Sequence, residues 1–295
     1  MIAARIFEIT FPIYAIILAG LLYARKFRPD MTLPNKLNMD IFIPCLLFSV
    51  IYEKAGVAGL FGNLAIGVSL VILLSGIVAL VTANLIHIDT RTLSPPVMFG
   101  NAGNLGLPLI ILSFGQDALP EAVICFIVCN FFHITIVNTW FQKHKNPFRA
   151  LLNPMIITVL FAIVLRILQV RIPATLLEPI RMLGEICVPL MLFALGTRLV
   201  DMKLAEWKIG LLGALLTPIS GVVIALFLIH YMDLTRLEQG ALFLFGVLPP
   251  AVMNYMFAEH YNQEPGKVAA MVLFGNAFSI ITIPLALVYA LPRFA

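Results

Sequence analysis

Long apolar runs alternate with short polar segments along the chain. A helix needs about 20 consecutive apolar residues to cross the hydrocarbon core of a bilayer. The runs therefore predict ten membrane-spanning helices, called spans 1 to 10, near residues 6–24, 38–52, 60–82, 94–114, 119–141, 154–170, 176–197, 208–231, 237–259 and 266–291. The segments between them are too short for a water-soluble domain, so the predicted fold class is an all-α integral membrane protein.

The composition agrees with this interpretation. Hydrophobic residues make up 61% of the chain and charged residues 12%, and the mean hydropathy is +1.01. Soluble domains carry about 45–50% apolar and about 25% charged residues, so too few charges remain to cover a soluble core. The net charge of +4 is too small to indicate a nucleic-acid partner, and membrane lipid is the expected surrounding.

The distribution of basic residues predicts the orientation of the spans. Lysine and arginine are enriched in the cytoplasmic loops of membrane proteins. The loops after the odd-numbered spans contain 12 basic residues, and the segments on the other face contain the remaining 7. We therefore expect the odd-numbered loops in the cytoplasm and both termini outside.

The two halves of the chain resemble each other at a nearly constant offset. The segment DIFIPCLLF, which begins at Asp40, aligns with EICVPLMLF, which begins at Glu185, and Asn130 aligns in the same way with Asn276. The predicted units are a first repeat, a cytoplasmic linker and a second repeat, over residues 1–142, 143–153 and 154–295. Because each repeat has five spans, the second must enter the membrane upside down. Such inverted repeats are typical of transporters.

Two apolar runs are interrupted near the middle of the membrane, in corresponding parts of the two halves. Span 4 contains GNAGNLGLPL, which begins at Gly100, and span 9 contains GVLPPAVMNY, which begins at Gly246. Glycine lowers helix stability by about 1 kcal/mol, and proline inside a helix costs about 3 kcal/mol or more. Irregular backbone at this depth persists only when it is buried in protein or lines a wet cavity. Paired interruptions therefore indicate a transporter binding site.

The two breaks also predict the chemistry of that site. If the repeat offset holds, Gly103 and Asn104 should face Pro250 and Ala251, and the second halves of the two spans should begin near Asn104 and Ala251. Free N–H groups at helix starts favour an anion, and asparagine side chains add neutral donors and acceptors. The predicted substrate-binding residues are Asn101, Gly103, Asn104, Asn130, Pro249, Pro250, Asn254 and Asn276.

Two alternatives stay open at this point. A single glycine-rich break is equally typical of a kinked, closely packed membrane helix, and it is the second break that favours a binding site. Asn130 and Asn276 are as compatible with hydrogen bonds between helices as with contacts to a substrate.

Cysteine and histidine offer little further chemistry. Cys125, Cys129 and His133 share one helix face, but a structural metal site usually needs a fourth ligand, and the sequence contains no obvious one. We interpret all three as packing residues, with His133 as a hydrogen-bonded helix contact, and predict no metal site.

A few charged residues fall within or near the spans. Ionisable groups in a membrane are functional candidates by default. Asp40, four residues before the helix-kinking Pro44, is the candidate for proton or cation coupling. Glu259 and Arg166 are close enough to span ends for their side chains to reach the interface.

The motifs of both breaks resemble one known family. The segments GNAGNLGLPL with FGQDAL, and PPAVMNYMFAEHYN with VLFGNAFSIITIPLAL, are similar to those of the auxin efflux carrier family, and the resemblance extends over the whole chain. This family includes plant auxin exporters and bacterial permeases for malonate, malate and similar acids. The resemblance implies ten spans, a fold shared with bile-acid sodium symporters, crossing broken helices 4 and 9 around the substrate, and a homodimer. The short link QKHKNPFRALLN resembles that of the bacterial members.

These observations lead to one main functional hypothesis and two competing ones. The main hypothesis is a secondary transporter of small organic anions in the bacterial inner membrane, without a cofactor other than a coupling proton or sodium ion. The alternative is a sodium-coupled symporter of the bile-acid type. An intramembrane enzyme or receptor is disfavoured, because the sequence lacks a zinc-ligand pattern, a nucleophile with a spaced base and an extramembrane domain.

Overall fold

The computed structural model describes residues 2–55, 62–141, 154–200 and 206–295, and the linker predicted over 143–153 lies outside them. In chain order the helices are α1 Ile2–Phe27, α2 Thr32–Leu37, α3 Ile43–Val50, α4 Asn63–Leu85, α5 Thr90–Met98, α6 Leu107–Phe114, α7 Leu119–Phe141, α8 Pro154–Ile167, α9 Ala174–Glu185, α10 Cys187–Arg198, α11 Trp207–Tyr231, α12 Arg236–Val247, α13 Val252–His260 and α14 Pro265–Phe294. Shorter helical turns cover Asn38–Phe42, Ile51–Ala55, Ala102–Gly106 and Gln116–Ala118. The all-α class is therefore confirmed for the described residues.

Six helical stretches in the described ranges are long and apolar enough to cross a membrane, namely Ile2–Phe27, Asn63–Leu85, Gln116–Phe141, Ala174–Arg198, Trp207–Tyr231 and Pro265–Phe294. They coincide with predicted spans 1, 3, 5, 7, 8 and 10. Spans 2, 4, 6 and 9 consist of shorter or interrupted helices. Span 4, for example, is built from α5 with 9 residues and α6 with 8. The count of ten spans and their 5+5 arrangement stay predictions.

Two prolines that align in the predicted repeat each accompany a helix irregularity one turn upstream. Proline has no N–H to donate to the carbonyl four residues earlier, which belongs to Asp40 for Pro44 and to Glu185 for Pro189. Asp40 lies in the π-helical turn Asn38–Phe42, and α9 ends at Glu185. The repeated proline therefore explains why spans 2 and 7 are not uniform α-helices.

Glycines bring the backbones of several helices into direct contact. A Cβ atom added to Gly196 of α10 would lie 2.0 Å from the carbonyl oxygen of Ile17 in α1. A Cβ atom added to Gly221 of α11 would lie 2.2 Å from the carbonyl oxygen of Gly246 in α12. Lipid tails are as apolar as leucine, so membrane helices associate through close packing of such small residues. These contacts fix α1 against α10, and α11 against the first half of span 9.

Large apolar side chains cover much of the outer surface. On α11, Ile219, Val223 and Phe227 follow one another at intervals of four residues and are 57%, 62% and 58% exposed. Residues four positions apart lie on the same face of a helix. They form a continuous apolar stripe, which suits a surface in contact with lipid.

A polar cluster joins the start of α5 to the start of α14. The hydroxyl of buried Thr92 donates to Glu264 Oε2 at 2.6 Å and accepts from Gln263 Nε2 at 3.1 Å. Lys267 Nζ pairs with the other carboxylate oxygen of Glu264. The hydrogen bond from Lys267, followed by that from Thr92, holds the pKa of the Glu264 carboxyl below its ordinary value of 4.5.

This cluster makes stability dependent on pH. A carboxylate whose pKa is lowered by folding adds stability above its ordinary pKa, and this stability is lost as the pH falls through the folded value. We expect Glu264→Gln to lower the melting temperature of the purified protein at pH 7, and the difference from wild type to shrink progressively as the pH falls below 4.5. Thr92→Val, which removes one donor, should weaken the same pH dependence. A difference that stays constant at every pH would contradict this assignment.

Candidate functional site

The two predicted breaks lie against each other and pair through their backbones. The N–H of Asn101 donates to the carbonyl of Pro249 at 2.8 Å, and the N–H of Ala251 donates to the carbonyl of Phe99 at 2.9 Å. Gly100 and Pro250 form the resulting antiparallel bridge. Backbone groups at membrane depth need partners inside the protein or must line a water-filled cavity, and here each break supplies some of the partners for the other.

The pairing differs in register from the sequence prediction. Gly100, rather than Gly103 or Asn104, lies opposite Pro250. The helical segment after the first break also begins at Ala102, two residues before the predicted start near Asn104. The second half of span 9 begins at Val252, one residue after the predicted start near Ala251. Positions that align between two repeats are equivalent in structure, but they need not be in contact.

Asparagine side chains reinforce the paired breaks. Asn276 Nδ2 donates to the carbonyl of Pro250 at 3.1 Å, and Asn276 Oδ1 accepts from Asn101 Nδ2 at 3.3 Å. Asn254 Nδ2 donates to the carbonyl of Phe99 at 3.1 Å. The three asparagines are 2% to 6% exposed. Asn276 therefore makes hydrogen bonds between helices, which is one of the two roles left open for it, and Asn254 makes a similar contact.

A cavity of about 1340 Å³ lies beside the paired breaks. Four of the predicted site residues line it, namely Asn101, Gly103, Asn104 and Asn130. The other four, Pro249, Pro250, Asn254 and Asn276, do not line it and belong to the pairing instead. The cavity reaches the segments 28–38, 197–200 and 259–261. All three lie on the face that the basic residues predict to be cytoplasmic.

Two helix starts present free backbone donors to this cavity. The first is the start of the continuous helix Ala102–Phe114, and the second is the start of α13. The amides of Gly103, Asn104, Val252 and Met253 have no hydrogen-bond acceptor among the described residues, and neither start has a side-chain cap. All four residues line the cavity. Unpaired N–H groups at helix starts carry partial positive charge, which favours an anion.

Two of the predicted asparagines, Asn104 and Asn130, are half-buried in the cavity wall. Asn130 Nδ2 donates to the carbonyl of Phe126 in its own helix at 2.8 Å, which leaves its oxygen for other partners. The side chain of Asn104 makes no hydrogen bond within the part of the chain that the structure describes. Of the predicted asparagines, Asn104 is therefore the most available for a ligand.

The predicted charged candidates occupy different environments. Asp40 is exposed and lines the cavity. Its role in proton or cation coupling stays a prediction. Glu259 is exposed and accepts a hydrogen bond from Tyr255. Arg166 does not extend freely to the interface, because its guanidinium donates to the backbone carbonyls of Ile51 and Tyr52 at the end of span 2.

The cysteine–histidine face packs against the first break, and Cys129 and His133 also line the cavity. Cys125 and Cys129 are buried, and Cys129 Sγ lies 3.7 Å from the carbonyl oxygen of Gly100. The His133 ring stacks on Phe99 with centroids 4.2 Å apart. Among the described residues no group of three or more potential metal ligands is found.

Two contributors to the site escaped the sequence prediction. The carbonyl of Phe99 accepts from both Ala251 N–H and Asn254, and Arg198 forms part of the cavity wall. Phe99 directly precedes the glycine-rich motif. Its contribution is a backbone carbonyl, which every residue has, so the residue type gives no indication of this role. Arg198 directly follows span 7 and is the last residue of α10, where an arginine is ordinarily interpreted as an interface residue.

Comparison with known proteins decides the family. Residues 139–287, just over half of the chain, match the family described as "Membrane transport protein". The chain belongs to this auxin efflux carrier family. The resemblance inferred from the two motifs is confirmed. The second break and Asn276 lie within the matched residues of the auxin efflux carrier family, and the first break lies before them in the chain.

A curated relative supports the same membership of the auxin efflux carrier family. The chain is 25% identical over 203 residues to an uncharacterized transporter of Methanocaldococcus jannaschii. The alignment covers 64% of each chain, so the chain spans somewhat less than two thirds of that relative's length. The relative's description names no substrate.

Proposed function

We propose that the protein is a secondary transporter of small organic anions, which bind where the two helix starts meet the cavity. The observation that carries this proposal is the set of four unpaired backbone N–H groups, which belong to the cavity-lining residues Gly103, Asn104, Val252 and Met253. Donors of this kind bind a carboxylate without an arginine or lysine at the same point. Membership in a family of membrane transport proteins supports the same function.

The asparagines divide into two roles in this proposal. Asn104 and Asn130, which are half-buried in the cavity wall, contact the substrate directly. Asn254 and Asn276 hold the two breaks together and so keep the helix starts in place. Asn101 does both, because it bonds to Asn276 and also lines the cavity.

Transport would proceed by alternating access. In inverted-repeat transporters, one repeat or bundle moves against the other around a fixed site near the bilayer midplane. The cavity reaches segments that the basic residues assign to the cytoplasmic face, so we interpret this conformation as inward-open. The proposed location is the bacterial inner membrane, with both termini outside.

Binding of candidate anions to the purified protein tests the function. A ligand that binds only the folded state raises the melting temperature by mass action. We expect at least one of acetate, propionate, malonate and malate to do so, and to be taken up by proteoliposomes containing the protein. Stabilisation that requires sodium would favour the bile-acid type symporter, and a pH-dependent uptake rate would favour proton coupling. Failure of all four acids, with the protein folded, would contradict an organic-anion carrier.

Asn104→Ala should weaken binding without destabilising the protein. The side chain has no described hydrogen bond to lose, so only the contact with the substrate is removed. A net hydrogen bond contributes about 0.5–1.5 kcal/mol, and about 1.4 kcal/mol is a factor of ten, which predicts a roughly three- to tenfold higher dissociation constant. Asn84→Ala, at an exposed position of α4, is the matched control and should leave binding unchanged. Equal affinities of all three proteins would exclude Asn104 from the site.

A further inference from the structure

One charged residue of the cavity wall differs from the others in burial. The charged residues that line the cavity are Arg28, Asp30, Lys36, Asp40, Arg198 and Glu259. Five of them are exposed, and Arg198, the last residue of α10, is half-buried. A charge that is partly removed from water needs a partner to offset the loss of hydration.

Arg198 has only a weak partner among the described residues. Its Nη1 contacts the thioether sulfur of Met256 at 2.8 Å, and a thioether is a weak acceptor. The ion pairs in the described ranges are Arg5–Glu8, Arg181–Glu178 and Lys267–Glu264, so none involves Arg198. The planar guanidinium has five N–H donors, arranged to bind a carboxylate through two parallel hydrogen bonds. Most of that capacity is unused by the described part of the protein.

The position of Arg198 relates it to the proposed anion site. Met256 lies in α13, four residues after Val252, with which that helix begins. At 1.5 Å per residue, the two are about 6 Å apart along the helix axis. The cavity wall therefore offers one anion-binding feature at the helix start and a second, fully charged one roughly a helical turn away. Two such features suit a small molecule with an acidic group at each end.

We propose that Arg198 binds the second carboxylate of a small dicarboxylate whose first carboxylate contacts the helix starts. This inference rests on the proposed transport function and narrows its substrate class. Neutral backbone amides bind the shared first carboxylate, and Arg198 discriminates between acids with one and two negative groups. Such discrimination is strong, because a monocarboxylate leaves the guanidinium without its partner.

Paired ligands of equal chain length test this assignment. Binding of malonate and succinate to the full-length protein is compared with binding of propionate and butyrate by isothermal titration, for wild type, Arg198→Gln and Arg198→Lys. We expect Arg198→Gln to raise the dissociation constants of the two dicarboxylates about tenfold or more, while those of the monocarboxylates change less than about twofold. Arg198→Lys keeps the positive charge but cannot form the two parallel hydrogen bonds of a guanidinium. Its dicarboxylate affinity should therefore lie between those of wild type and Arg198→Gln.

Two control variants separate this role from general electrostatics and from structure. Arg25→Gln removes an exposed charge that does not line the cavity and should alter no dissociation constant. Asp201, the acidic residue closest in sequence, lies outside the described residues, so Asp201→Asn is measured as well. We expect it to leave dicarboxylate affinity unchanged. Tighter dicarboxylate binding by Asp201→Asn would assign Arg198 to that carboxylate and overturn the proposal.

The remaining outcomes are also decisive. Equal weakening of mono- and dicarboxylate binding by Arg198→Gln would show long-range attraction only, and unchanged binding of both would remove Arg198 from the site. Either result overturns this inference and leaves the proposed function intact. If wild type binds none of the four acids, the proposed function itself fails.

Discussion

Asn276→Ala is expected to destabilise the protein and to remove most of its transport activity. The change leaves the carbonyl of Pro250 and the amide of Asn101 without their described side-chain partner in a buried region. Each unsatisfied buried group costs about 1–3 kcal/mol, so the total for the two groups is about 2–6 kcal/mol. The two breaks would also lose the side chain that links them, which displaces the proposed anion site. Thermal melting and proteoliposome uptake measure the two effects.

The contribution of the Asn276 amide hydrogen bonds to stability can be separated from that of the side chain's volume. Asn276→Asp preserves the size of the side chain but sets a carboxylate oxygen against the carbonyls of Pro250 and Val272. It should therefore be at least as damaging as the alanine variant. Ser69→Ala, which removes only a half-buried hydrogen bond within α4, serves as the control and should have a small effect. A wild-type melting temperature for both Asn276 variants would show that the paired breaks do not depend on this residue.

Gly196→Ala is expected to prevent close packing of α1 against α10. The added Cβ atom would lie 2.0 Å from the carbonyl oxygen of Ile17 and 2.9 Å from the amide nitrogen of Leu21. Carbon–oxygen contacts are ordinarily no closer than about 3.3 Å, so the two backbones must separate by roughly 1 Å. Overpacking of this kind typically costs about 1–3 kcal/mol and sometimes more. Because Arg198 lies two residues further along α10, substrate affinity should fall together with the melting temperature.

A second glycine provides the matched comparison. A Cβ atom added to Gly266, in the first turn of α14, would meet no atom within 4 Å. Alanine is preferred to glycine in a helix by about 0.5–1 kcal/mol, so Gly266→Ala should be neutral or slightly stabilising. If Gly196→Ala melts at the same temperature as Gly266→Ala, the contact between α1 and α10 is more adaptable than its geometry indicates.

The proposed site combines neutral hydrogen-bond donors with one charged residue, Arg198. The sequence predicted the asparagines of the site but not this arginine. Asn104 and Asn130 were found because polar amides are conspicuous in an apolar run. The same signal selected Asn254 and Asn276, whose amides bind backbone carbonyls and do not line the cavity. Sequence identifies a buried amide, but its partner decides whether it binds substrate or protein.

The sequence alone determined the properties that depend on local chemistry. Apolar runs require a membrane, prolines without an N–H and glycines without a side chain interrupt helices, and the two motifs identify the family. Only the tertiary structure decided that Gly100 meets Pro250, that half of the predicted residues face the cavity, and that Arg198 is half-buried beside Met256. These features depend on residues far apart in the chain. Their register and burial follow from how whole helices pack, which no local pattern specifies.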